Sequence, residues 1–168
     1  FTEFVEVPEL RDISISQISG TSTYFFAVTK DNRVFVCGSN ASGRIGEMMK
    51  DDKLPVIVDD AFENRKPKLD PPFNQFREID IFKPNKIVAA YAGCLHSLFL
   101  TDKGGILSCG DNTYGQLMLY RPGRNPIYPP DQTLIEYHAN CCIAGNSISV
   151  VFIDCQPPSH SPNCKIEV

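Results

Sequence analysis

Short apolar runs separated by polar turns set the pattern of this chain. Residues 25–29 (FFAVT) and 33–37 (RVFVC) are aromatic or β-branched stretches divided by Lys30, Asp31 and Asn32. Further on, 97–101 (SLFLT) and 106–109 (ILSC) flank Asp102, Lys103, Gly104 and Gly105. Each pair reads as a hairpin, because such runs suit a pleated, half-buried surface and the residues between them suit a reversal. A further strand precedes each hairpin, at 15–19 (ISQIS) and 87–92 (IVAAYA), with Gly20 and Gly93 at the ends. A fourth segment, 54–58 (LPVIV), follows the first hairpin, and 125–128 (NPIY) is its counterpart. No segment carries a helical apolar stripe over three turns. The prediction is four-stranded antiparallel units and an all-β chain.

The units repeat. Cys37 and Cys109 lie 72 positions apart, and the same offset joins Thr29 to Thr101, Gly38 to Gly110, Asn40 to Asn112, Gly43 to Gly115 and Ile45 to Leu117. Asn32 falls on Gly104, as expected where a hairpin turn needs positive φ. A third, partial copy places Gly145 on Gly93 and Ser149 on Ser97, and then departs. In the shared Cys-Gly-x-Asn-x-x-Gly stretch the glycines relieve a bend after the third strand, while Asn bonds nearby backbone groups. A phosphate loop is excluded, since no Gly-Lys-Ser/Thr follows and no helix opens there.

Four-stranded units at such spacing suggest propeller blades. With Gly93, His96, Ser97, Gly110, Asn112, Gly115, Gln116 and Leu117, the second unit resembles a repeat of the regulator of chromosome condensation family. The first keeps Gly38, Asn40, Gly43, Ile45 and Gly46 but puts Tyr24-Phe25 at the His-Ser place, and the third puts Ile148 there. Both full units have Cys where the family often has Trp. The resemblance implies a seven-bladed β-propeller, of which this chain would hold about three blades. Residues 1–13 would complete a preceding blade, 14–84 form a blade with an inserted loop at 59–84, 85–134 a second, and 135–168 a partial blade with a Pro-rich tail. Small residues suit the strand nearest the hub: Ala89, Ala90, Ala92 and Gly93, then Cys141, Cys142, Ala144 and Gly145. At the family's repeated His position, His96 is expected to hydrogen-bond between strands or blades rather than to act as an acid or base.

Composition narrows the function classes. Of 168 residues, 42% are hydrophobic and 21% charged, with net charge −4; a general affinity for nucleic acid backbone is not expected, since that needs a net basic surface. No apolar run reaches the length of a membrane span. The chain begins at Phe1, so a longer parent polypeptide is expected. Seven cysteines without a Cys-x-x-Cys favour neither a disulfide framework nor a zinc site. They are expected as free, apolar fillers, which suits a cytoplasmic setting, a cytoskeletal or ciliary assembly included, with the nucleus as the alternative. No metal or other cofactor is expected. No Ser, His and acid constellation has recognisable context, so an enzyme is not expected.

Rim loops remain as the place for function. The excursion 59–84 mixes Arg65 and Arg77 with Phe62, Phe73 and Phe76, and the Pro-rich 120–131 carries Tyr120, Arg121, Arg124 and Tyr128. Arg with aromatics suits anchoring of a protein partner. The expectation is a non-enzymatic binding module or scaffold, its partner being further blades of its own polypeptide or another chain. Resemblance to the family's founding member implies an alternative, guanine-nucleotide exchange on a small GTPase such as Ran. A secreted enzyme inhibitor is the third possibility, and free thiols weigh against it.

Overall fold

A computed structural model describes residues 6–47, 75–120 and 127–154, of Tyr128 only the backbone. Three antiparallel sheets follow one another along the chain. The first is β1 (Ile15–Gly20), β2 (Tyr24–Thr29), β3 (Val34–Gly38) and β4 (Arg77–Ile79), in that spatial order. The second is β5 (Ile87–Ala92), β6 (His96–Thr101), β7 (Ile106–Gly110) and β8 (Ile127–Gln132), and the third pairs β9 (Ala139–Ala144) with β10 (Ser149–Ile153). The all-β expectation holds, and both central hairpins lie where the apolar runs placed them.

The offset of 72 is visible in the backbone. Asn32 has φ 65° and Gly104 φ 76°, Gly38 and Gly110 have 110° and 109°, and Gly43 and Gly115 have 67° and 77°. At Gly38 an added Cβ would run into the Thr23 carbonyl and the Tyr24 backbone, and at Gly110 into the Leu95 carbonyl. Here the third strand turns away at positive φ against its neighbour's backbone, so glycine is required twice over.

Neighbouring sheets pack face to face. β2 and β1 lie on β5, burying Tyr24, Phe26, Val28, Val36, Phe99 and Cys109 in one core. β6 lies on β9, burying Leu98, Leu100, Ile106, Cys142 and Val151 in a second. Phe26 and Phe99 meet edge to face with centroids 5.2 Å apart, the arrangement that ring quadrupoles favour. Because β9 and β10 alternate their side chains, Cys142 and Val151 face the second sheet while Cys141, Ile143 and Phe152 face outward. The adjacent cysteines thus point to opposite faces, and both are free.

Three expectations shift. The fourth strand of the first sheet is Arg77–Ile79, inside the stretch expected as a loop. The expected strand at 54–58 lies outside the described residues. Arg77 takes the sheet position because Val36 is its ladder partner and its guanidinium grips both carboxylate oxygens of Glu47, at 2.7 and 2.5 Å. In the second sheet β8 runs on to Gln132 through Pro129 and Pro130; proline is tolerated there because β8 is an edge. Among described residues 6–13 there is a 3₁₀ turn at Pro8–Leu10 rather than a strand, as suits Pro at the start of a helical turn.

Candidate functional site

Two hydrogen-bonded relays tie the sheets together, and they are copies of one another. The Tyr24 hydroxyl lies 2.9 Å from Ser97 Oγ, and Ser97 donates to the Arg44 carbonyl at 2.6 Å. At the next boundary His96 Nε2 lies 2.9 Å from Ser149 Oγ, and Ser149 donates to the Gln116 carbonyl at 2.7 Å. Tyr24 and His96 differ by the repeat offset, as do Arg44 and Gln116. A hydroxyl has one proton. Since Ser149 gives its proton to a carbonyl, His96 must donate from Nε2, which fixes the neutral Nε2–H tautomer. Nδ1 is then left buried without a hydrogen-bond partner among the described residues. Burial holds the His96 pKa down at about 4, against a smaller upward pull from Asp111. Burial likewise pushes the Tyr24 phenol above its ordinary range. Both groups are therefore neutral near pH 7, with geometry suited to joining blades rather than to proton transfer.

The loop leaving each third strand is held by its Asn. Asn40 Oδ1 accepts from the Ile45 amide at 2.9 Å, and Asn112 Oδ1 from the Leu117 amide at 3.0 Å. Their Nδ2 groups donate to the carbonyls of Glu47 and Leu119. This staple presents residues 44 and 116 inward, where the relays end.

Where the turns after β1, β5 and β9 converge they enclose an open cleft of about 850 Å³. Thr21, Ser22 and Thr23 of the first turn line it, with Cys94 of the second, Asn146 of the third, and Arg44 from the first exit loop. Arg44 is only 4% exposed. Its Nε donates to the Ser39 carbonyl at 2.9 Å and its Nη1 to the Cys94 carbonyl at 2.7 Å, while its guanidinium stands 4.7 Å from the Tyr24 ring centroid. Desolvation pulls its pKa downward.

Comparison with known proteins agrees with this geometry. Residues 87–116, the stretch with the His96 and Asn112 positions, match the regulator of chromosome condensation (RCC1) repeat. Over that stretch the chain is similar to the family's repeat, and distant relatives extend the similarity beyond it. Over 131 residues it is 27% identical to the mouse secretion-regulating guanine nucleotide exchange factor, covering 78% of this chain and 24% of the relative. Over 117 residues it is 26% identical to the mouse E3 ubiquitin-protein ligase HERC2, covering 67% of this chain and 2% of the ligase. The chain thus spans a small part of the curated relatives it matches. Among solved structures, Prp20p from Saccharomyces cerevisiae superposes with TM-score 0.62 at 19% identity, over 83% of this chain and 31% of that one. Human WBSCR16 gives 0.60 at 21% identity, over the same shares. The three sheets are accordingly blades of an incomplete propeller of this family's type.

Of the residues expected to anchor a partner, three have described side chains: Phe76, Arg77 and Tyr120. Phe76 is half-buried and the adjoining Arg77 is paired with Glu47 on the edge of the first blade. Tyr120 is 81% exposed. Phe62, Arg65, Phe73, Arg121 and Arg124 lie outside the described residues, and Tyr128 enters as backbone of β8. The sequence reading passed over the cleft. Its signals were the three aligned turns at Gly20, Gly93 and Gly145, and the Arg that stands at position 44 where the second unit has Gln116. Among the described residues no group of His, Cys, Asp and Glu gathers that could hold a metal, and no helix is long and apolar enough to cross a membrane.

Proposed function

We propose that the chain is a non-enzymatic protein-binding module, a segment of propeller whose rim holds a protein partner within a larger assembly. The observation that carries this reading is the pair of matched relays. They lock successive blades through buried, neutral groups, so the turns between strands stand on a stiff support. Loops on a rigid scaffold are the usual place for recognition. A structural neighbour supports the same reading: yeast Prp20 is described with its binding to Gsp1p and histones, and in a second structure it is bound by Kap60. The outward apolar face of β9 and β10 fits a further blade of a longer polypeptide or a covering chain, since propellers shield such faces by closure. Cross-linking the native assembly and sequencing the products tests the reading. It requires protein cross-links at the rim turns, and an assembly with none there overturns it.

Guanine-nucleotide exchange is the second reading, favoured by the 27% identity to an exchange factor. Release of labelled GDP from a panel of small GTPases, Ran included, decides between the two. Acceleration of release supports exchange, and unchanged release removes it. A fold shared with an exchange factor does not carry the activity by itself.

A further inference from the structure

The most buried cation described in this chain has no acid partner among the described residues. The exposed cations Arg11, Arg33 and Lys83 are paired with Glu6, Asp31 and Asp80 respectively. Arg44, at 4% exposure, forms no ion pair among the described residues; its hydrogen bonds go to two carbonyls. Burying a charge is costly unless it is paired. Carbonyl dipoles and the Tyr24 ring offset part of that cost, but they leave a net positive charge beside the cleft.

The repeat shows what is missing. In the second blade, Gln116 donates from Nε2 to Asp111 Oδ2 at 2.9 Å, and Asp111 is itself buried. At the offset of 72, Asp111 corresponds to Ser39 and Gln116 to Arg44. The first blade therefore has the cation without the carboxylate that the second blade supplies internally. Among the described residues no Asp, Glu or Lys lines the cleft. Hydroxyls of Thr21, Ser22 and Thr23 and the amide of Asn146 offer donors, and Leu95 and Ala92 offer apolar wall.

We propose that this cleft binds the carboxylate of an acidic segment of a protein partner, with Arg44 as the cation that selects it. A guanidinium matches a carboxylate in charge and in planar donor geometry. A cleft of about 850 Å³ with apolar wall suits a peptide segment better than a single small anion. The proposal rests on the protein-binding reading above and gives the recognised chemistry.

The test uses the full chain and a fluorescein-labelled octapeptide of alternating glutamate and glycine, followed by anisotropy, with a glutamine-for-glutamate peptide as control. The glutamate peptide is expected to bind about tenfold tighter than its control, the scale of one charge-assisted contact. Arg44→Gln is expected to weaken it about tenfold, Arg44→Lys less, and added salt to weaken it further. Glutamine already stands at the equivalent place in the second blade, so the backbone accommodates it. Bound peptide should slow alkylation of the exposed Cys94 in the cleft and leave the exposed Cys141 unchanged. Equal affinity for the two peptides, or unprotected Cys94, overturns the proposal even if Arg44→Gln fails to fold. Displacement of the peptide by micromolar inorganic phosphate would make this a small-anion site and overturn it as well. A chain that fails with the glutamate peptide yet cross-links to its native partner at the rim loses the cleft assignment alone. One that binds the peptide but has no protein cross-links loses the module reading beneath it.

Discussion

His96 donates its Nε2–H to Ser149 across 2.9 Å, from the second sheet to the third, and leaves its own Nδ1 buried with no partner among the described residues. The ring is neutral in the fold, with its pKa held at about 4 by burial. Unfolded, it titrates at about 6.5. Below that value the unfolded chain takes up a proton that the folded chain refuses, so stability is full above pH 6.5 and falls as pH drops toward 4. The loss from this one group amounts to roughly 3 kcal/mol at most. Urea denaturation of the wild type and of His96→Gln between pH 7 and pH 4 checks it. The variant should be less stable at pH 7 and should show a flatter slope over that window. Identical slopes would show that His96 does not set the acid response.

The first relay predicts a measurable coupling. Tyr24→Phe removes a hydroxyl that three oxygens surround, those of Gly93, His96 and Ser97, and should cost about 1 kcal/mol. Ser97→Ala removes the donor to the Arg44 carbonyl and should cost about 1–3 kcal/mol. Because the two hydroxyls share one bond, the double variant should fall short of the sum by about 1 kcal/mol. Additivity within a few tenths would mean that they stabilise independently.

Glycine substitutions should separate by site. Gly110→Ala must place its Cβ against the Leu95 carbonyl at φ 109°, with an expected loss on the order of 2–4 kcal/mol. Gly38→Ala should match it, since its φ is 110° and the Thr23 carbonyl blocks it. Gly115→Ala meets nothing within 4 Å among the described residues and bears the strain of φ 77°, roughly 1 kcal/mol. Equal losses at Gly110 and Gly115 in urea titrations would refute the steric account.

How much of this was legible depended on local range. The hairpins were, because period and turn residues lie within a few positions; Asn32 and Gly104 were paired by offset, and both have positive φ. Arg77–Ile79 was not, since three residues with two charges carry no alternation to recognise. The partner of His96 lies 53 positions away on a unit that drifts from the repeat, so its role was open to expectation while the atom it meets was not. Arg44 was hidden for a different reason. A charged residue in a loop is ordinarily solvated, and only packing of the Tyr24 ring beneath it and the Cys94 turn beside it makes it a buried cation.

The exposed end of the arc gives the last prediction. Ile143, Ile148 and Phe152 are each at least 50% exposed on the third sheet, and Ile143 pairs with Val150 while Phe152 pairs with Cys141 on the same outward face. Ile148 occupies the place of Tyr24 and His96, and it has no polar group with which to continue the relay. Water therefore meets a continuous apolar strip, the kind of patch that draws a partner or drives self-association. The purified chain should scatter light as a dimer or larger species, and Ile143→Lys with Phe152→Glu should shift it toward monomer. Since both side chains are exposed, their replacement should change urea stability by less than about 1 kcal/mol. A wild-type chain that is monomeric at the same concentration would contradict the idea that this face seeks a cover.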